Sequence, residues 1–355
     1  MGSEGGGSSE GSNKSQNYEP TAPASPAAPA ALASAPAAIM FDYVGVAVVV
    51  VVVVSCGWLA GRAWRAKRRL VKWIGAPLAG LVALVGTAVL VAALVGYWKL
   101  NRRYDNPVST ISVVMTPERI ERGARFGEMC AGCHAADEEP PIEGNDFLAD
   151  EDAPPIGTFY APNLTPTHLS SWTDGEIIRA IREGIHKDGR SLLIMPAKAF
   201  RNLSDDDVAS IVAYLRTQPP VEPDTPRPRL NLLGALMVNL APIFEAQEPI
   251  TQPILAPPAG ATPEYGEYLV SYSCTMCHGE DLGGNVDFKA PSLIAVATTW
   301  SDEDFLEFFE TGVRPNGVAV DGDQMPWKEL RGFLLDDDFR AVYSHLQQRF
   351  PRPER

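Results

Sequence analysis

Cysteine is scarce in this chain, with five in 355 residues, too few for a disulfide-stapled fold. Positive charge is short over most of its length. The formal net charge is −14, and residues 106–355 alone carry −19. Nucleic-acid binding needs basic surface to displace counterions, so that class is excluded. Large side chains are few in the first 38 residues, which are mostly Gly, Ser, Pro and Ala and hold a single aromatic, Tyr18. Such a stretch buries too little apolar surface to offset its ordering entropy, and residues 1–42 are expected to be a disordered tail. Charge is absent from two long runs, Tyr43–Ala60 and Trp73–Trp98. The overall composition, 45% hydrophobic and 21% charged, is nevertheless ordinary for a globular chain, and its length suggests roughly two to three domains.

The two uncharged runs predict a transmembrane helical hairpin over residues 43–105. Crossing the hydrocarbon core takes about 20 apolar residues, and each run is long enough. Val48–Val54 is an unbroken valine run, but in lipid every backbone group must be paired internally, and a helix does this within one segment. Trp58, Trp73, Tyr97 and Trp98 sit near the ends, where aromatic side chains meet the headgroups. Arg62, Arg65, Lys67, Arg68, Arg69 and Lys72 between the runs place that loop in the cytoplasm, and residues 106 onward on the outer, periplasmic side of the cell membrane. Val53-Val54-Ser55-Cys56 also resembles a lipobox, although an acidic tail precedes it. The simpler reading makes Cys56 a small apolar residue of a membrane helix.

Beyond the hairpin the sequence repeats itself. Cys130-Ala131-Gly132-Cys133-His134 answers Cys274-Thr275-Met276-Cys277-His278, and Ala161-Pro162-Asn163-Leu164 answers Ala290-Pro291-Ser292-Leu293. Trp172-Thr173-Asp174 answers Trp300-Ser301-Asp302, Met195-Pro196 answers Met325-Pro326, and Asp205–Asp207 answers Asp336–Asp338, all in the same order. Two homologous all-α domains are expected, at 106–222 and 258–355. Ile177, Ile178, Ile181 and Ile185 give one helical stripe; Phe305, Phe308, Phe309 and Val313 give its counterpart. Each Asp triplet reads as a helix start, where carboxylates oppose the positive dipole end. The stretch 223–257 between the copies is a proline-rich linker whose apolar segment, Leu230–Phe244, is expected to be a helix lying on the membrane surface or on a partner.

The repeated C-x-x-C-H carries the chemistry: it is the attachment signature of covalent c-type haem. Two thiols on one helical turn reach the two vinyl groups of one porphyrin, and the next imidazole points at the iron. A zinc site would leave both histidines unexplained, and a redox dithiol needs a βαβ context that is lacking. The expected iron ligands are His134 and His278, with Cys130, Cys133, Cys274 and Cys277 as the thioether anchors. The sixth ligand follows by elimination: Met195 is the first methionine after His134 in its domain, and Met325 is the only one after His278. His168, His186 and His345 are the alternative axial donors, read as surface or core residues. A thioether opposite imidazole raises the reduction potential and closes the iron to exogenous ligands.

With these motifs the chain resembles class I cytochromes c, duplicated. The run Gly157–Pro166, together with Trp172–Gly184, Asp188-Gly189-Arg190 and Met195-Pro196, is similar to the cytochrome c subunits of membrane-bound alcohol and gluconate dehydrogenases. The resemblance covers about 120 residues of the first domain and is looser over the second. It implies that Pro162 and Pro291 offer a backbone carbonyl to the ring N–H of the ligating histidine. Those subunits typically carry three C-x-x-C-H motifs, and this chain has two.

The function expected is single-electron transfer by a membrane-anchored cytochrome with two covalent haem c groups, in a respiratory or photosynthetic chain, rather than catalysis. Its partners would be the lipid bilayer and a redox protein: a quinol-oxidising complex, a dehydrogenase or a terminal oxidase. A dihaem peroxidase would need one iron with a displaceable ligand, against the Met-Pro of both copies. A sensor would call for a cytoplasmic output domain.

Overall fold

The computed structural model describes residues 40–352 except 42, 138, 147–148, 150–154, 241–245 and 323. Most of the expected tail therefore lies outside the described residues. Met40–Phe41, which the sequence places within that tail, instead form a short strand, β1. Helices α1 (Tyr43–Trp64) and α2 (Val71–Asn101, opening with a π-helical turn) are both long and apolar enough to cross a membrane. Their apolar side chains point outward and stay exposed, as a lipid-facing surface requires. They pack closely where Gly86 lacks a side chain: a Cβ there would meet Val53 at 2.6 Å. Trp64 and Trp73 meet edge-on across the connecting loop, with Lys72 over the Trp64 ring.

Residues 102–115 are laid along the body of the chain. The Arg102 guanidinium covers both Trp98 and Tyr104, and the Tyr104 amide donates to Gly189 O at 2.9 Å. Asn106 Nδ2 donates to Glu183 Oε2 and to Gln247 O, while buried Arg179 donates to Asn106 O.

In the first half come α3 (Pro117–His134), β2 (Asn145–Asp146), β3 (Gly157–Thr158), β4 (Tyr160–Ala161), α4 (Pro166–Leu169), α5 (Asp174–Glu183), α6 (Ala197–Phe200) and α7 (Asp205–Thr217). β5 (Arg229–Leu230) and α8 (Leu232–Leu240) follow, then α9 (Pro263–Ser273), α10 (Thr275–His278), α11 (Leu293–Thr299), α12 (Asp302–Thr311), α13 (Trp327–Phe333) and α14 (Asp336–Arg349). The structure is predominantly helical, as expected, and each described strand has two residues. β5 lies between β1 and β3, and β2 pairs antiparallel with β4.

The caps explain the boundaries. Thr116 and Thr262 accept from the third amide of α3 and α9, each of which has proline in its first turn. Thr173–Glu176 and Ser301–Asp304 form capping boxes on α5 and α12, and Gly184 and Gly312 close those helices in the left-handed region. Ser204 caps α7, with Asp205–Asp207 in its first turn. α3 packs on α7 and α9 on α14. The crossing points are glycines: an added Cβ on Gly123 would sit 2.0 Å from Ser210 O, and on Gly266 1.9 Å from Ala341 O.

Of the expected apolar segment Leu230–Phe244, residues 241–244 lie outside the described residues, and Leu232–Leu240 form the helix α8, which covers part of the same chain. It lies against α2 at Gly96, where a Cβ would fall 1.8 Å from Ala235 O, and Lys99 Nζ reaches Asn239 O. Leu100, Phe159, Leu230 and Val238 make a small core at this junction.

The buried residues of the two halves form one continuous core. At their boundary Tyr268 donates to the Asp207 carboxylate and accepts from the Ser204 amide at 2.8 Å; Arg122 Nε donates to the other Asp207 oxygen at 2.5 Å. Tyr268→Phe strips one donor from a fully buried carboxylate and leaves the Ser204 amide without its acceptor. Stability is expected to fall by about 1–3 kcal/mol, read by urea titration of the holoprotein.

Candidate functional site

α3 ends at His134 and α10 at His278, each immediately after a pair of cysteines. His134 Nδ1 lies 2.8 Å from Pro162 O, and His278 Nδ1 lies 2.8 Å from Pro291 O. A carbonyl only accepts, so Nδ1 carries the proton and Nε2 keeps its lone pair. Burial pushes both rings below the ordinary histidine range, overriding the opposite pull of the proline carbonyls. At neutral pH both rings are thus uncharged and oriented, the form in which imidazole binds a metal.

The loops that bring the prolines to the histidines are built alike. Gly144 N donates to His134 O and Leu164 N to Ile142 O; Gly284 N donates to His278 O and Leu293 N to Leu282 O. In the first half Asn163 holds the loop: fully buried, it accepts from the Thr165 amide and hydroxyl and donates to Val221 O. Sequence reading did not single out this residue. A buried Asn beside a Pro could have signalled it only with knowledge of what surrounds it.

None of the five cysteines is joined in a disulfide. Burial pushes Cys130 up to about 12 and Cys274 up to about 11, the latter despite the Ser273 hydroxyl 3.4 Å from its sulfur. A redox dithiol needs a stabilised thiolate, and these environments do the opposite. Among the described residues no group of three or more His, Cys, Asp or Glu side chains converges to hold a metal ion.

Met195 and Met325 sit in matching turns. Ala197 N donates to Met195 O and Trp327 N to Met325 O, both at 2.7 Å, across Pro196 (φ −77°, ψ 51°) and Pro326 (φ −75°, ψ 63°). These are inverse γ-turns, in which proline's fixed φ suits the central position. Leu192 N to Gly184 O and Val320 N to Gly312 O tie the preceding loops in the same way. Both methionines are half-buried against the core.

Two of the other histidines are engaged elsewhere, and the buried Nε2 of His345 has no hydrogen-bond partner among the described residues. His168 Nδ1 pairs with Asp224, and His186 pairs with Asp188 and meets the Trp172 ring edge-on at 4.7 Å. His345 lies buried on α14 beside Gly266. Burial would raise Asp188, but bonds from His186 and Arg190 outweigh it and hold its carboxyl well below the usual range.

These residues fit a covalently held haem. Paired thiols are available for thioether bonds, an oriented neutral imidazole follows them, and a soft sulfur sits in a proline-set turn. Trp172 Nε1 is buried with no acceptor among the described residues, a donor left over for an acidic cofactor edge.

At the level of the family, comparison with known proteins bears on the first of the two sites. Residues 120–219 match the cytochrome c family, and this stretch holds Cys130, Cys133, His134 and Met195. The chain is 30% identical over 315 residues to a nicotinate dehydrogenase subunit of Pseudomonas putida, covering 80% of this chain and 25% of that protein. It is 28% identical over 278 residues to the cytochrome c subunit of alcohol dehydrogenase (quinone) of Gluconacetobacter polyoxogenes, with 66% and 56% covered. To the fructose dehydrogenase cytochrome subunit of Gluconobacter japonicus it is 27% identical over 246 residues, with 61% and 49% covered. The chain thus spans between a quarter and little more than half of these relatives. It carries a cytochrome c domain, a family whose haem is covalently bound, and is homologous to cytochrome c subunits of dehydrogenases.

Proposed function

We propose that the chain is a membrane-anchored dihaem cytochrome c that passes single electrons from a dehydrogenase toward a respiratory acceptor. In this reading residues 106–222 and 258–355 are duplicated domains. The first holds haem through Cys130, Cys133, His134 and Met195; the second through Cys274, Cys277, His278 and Met325. The observation that carries it is the pair of 2.8 Å histidine-to-proline contacts, which leave Nε2 of both rings free in matching frames.

Haem, when bound, supplies a reversible one-electron couple. The chain supplies the rest. The thiols fix the macrocycle, and the proline carbonyls hold the imidazoles in one tautomer. The methionines would supply soft thioether sulfur to the group, which would raise its potential. A group ligated by both histidine and methionine would suit electron exchange rather than substrate chemistry.

The clamp of residues 102–106 on the Glu183–Arg190 region, and of α8 on α2, supports a fixed subunit over a shuttle swinging on a loose tether. The cationic loop between α1 and α2 supports a cytoplasmic position for that loop and an outer position for the haems. An acidic body favours a partner with a basic face.

Pyridine haemochrome analysis of membrane-purified protein is expected to give two c-type haems per polypeptide. The reduced protein is expected to leave carbon monoxide unbound, whereas Met325→Leu opens one iron and gives a CO-shifted spectrum at about half the haem. CO binding to the parent protein would instead favour a peroxidase-type enzyme.

A further inference from the structure

The two halves meet in a reciprocal junction. α13, which follows Met325, lies against α3, the helix bearing Cys130, Cys133 and His134. α6, which follows Met195, lies against α9 and α10, the segment bearing Cys274, Cys277 and His278. The polar contacts repeat this exchange. Two residues after the crossing glycine of α9, Tyr268 binds Asp207, the third carboxylate of the first Asp triplet. Two residues after the crossing glycine of α3, Arg125 approaches Asp338, the third carboxylate of the second triplet, at 3.9 Å. Both aspartates are buried, although helix starts alone would leave them in solvent. At the centre stand three buried rings. Phe126 lies 4.9 Å from Phe333 and 6.2 Å from Tyr272, and Tyr272 lies 6.1 Å from Phe333. Phe126 is one helical turn before Cys130, Tyr272 is two residues before Cys274, and Phe333 ends the helix after Met325.

We propose that this junction is the electron-exchange path between the two haems, with Phe126, Tyr272 and Phe333 as the residues that set its spacing and packing. The inference rests on the two-haem reading above. In the step one electron leaves a ferrous iron, which becomes ferric, and reaches the ferric iron of the other half, which becomes ferrous; no bond breaks and no proton moves. A close-packed aromatic contact holds the thioether segments at one separation. A void there lengthens the path and loosens it.

Pulse radiolysis of the full chain, reduced by one electron on average, reads the exchange rate. Phe126→Ala is expected to slow it about tenfold, a barrier change of about 1.4 kcal/mol. Phe126→Tyr, which keeps the ring, is expected to stay within about twofold of the parent. Ile178→Ala, which opens a void in the core of the first half on α5, is expected to lower stability but leave the rate unchanged. If Phe126→Ala yields too little holoprotein, Phe333→Leu keeps apolar volume, removes a ring and is expected to slow exchange as well. Two haems by haemochrome with an unchanged rate in both ring-removing variants would overturn the junction and leave the two-haem reading intact. Fewer than two haems in the parent would overturn both.

Discussion

Replacing Cys274 and Cys277 together with alanine is expected to halve the covalently bound haem, from two groups per polypeptide to one. Haem-stained denaturing gels and a haemochrome ratio against protein would show it. The reason lies in how little else could keep a porphyrin in place. His278 would still be oriented by Pro291, but a single imidazole and a thioether are reversible ligands, and denaturation strips them. The thiols are also poorly suited to other chemistry, because burial keeps Cys274 protonated at physiological pH. The matched double exchange at Cys130 and Cys133 should give the same ratio. Full haem content after either exchange would refute the assignment of that motif.

Gly266→Ala is expected to be the most damaging single-methyl change in the second half. The new Cβ would lie 1.9 Å from Ala341 O and 2.4 Å from its carbonyl carbon. Both are backbone atoms of the facing helix, so no side chain can swing aside and α9 and α14 must part. The same pair carries Tyr265, Leu269, Phe339 and Val342 in the core, and separation loosens all of them. We expect a loss of about 3 kcal/mol, at the upper end for overpacking, measured by thermal or urea unfolding of the holoprotein. Gly123→Ala, facing Ser210 O at 2.0 Å, should behave alike in the first half. Gly332→Ala, with nothing within 4 Å and outside both cysteine motifs, serves as the neutral comparison.

What could be read in advance was whatever chemistry writes locally. Cys130 to His134 and Cys274 to His278 stand out by spacing, because the thioether attachment proposed for them would fix the order of atoms along a single helical turn. Uncharged runs announce α1 and α2, since length and polarity decide membrane crossing. Ser204 with Asp205–Asp207 announces a helix start, because capping is satisfied within four residues. What escaped reading depends on residues far apart in the chain. Nothing local in Asp207 reveals that Tyr268, 61 positions on, will bind it. Phe126 looks like any core aromatic until α13 arrives beside it. The apolar segment α8 was legible as a helix needing a cover, yet that cover is α2, well over a hundred residues earlier. Gly123 and Gly266 are two of thirty glycines, and only the crossing of helices distinguishes them.

The single interior shared by both halves has a consequence for any attempt to dissect the protein. Cutting at the proline-rich connector would bare Phe126, Tyr272 and Phe333 together, along with the carboxylates of Asp207 and Asp338 that each half lends to the other. A fragment so made would present an oily face beside carboxylates stripped of their cross-half partners, and would clump or seek a second copy of itself. Fragments are therefore a poor proxy for the intact polypeptide, and divergence at one side of the seam is constrained by what the opposite side can still accept.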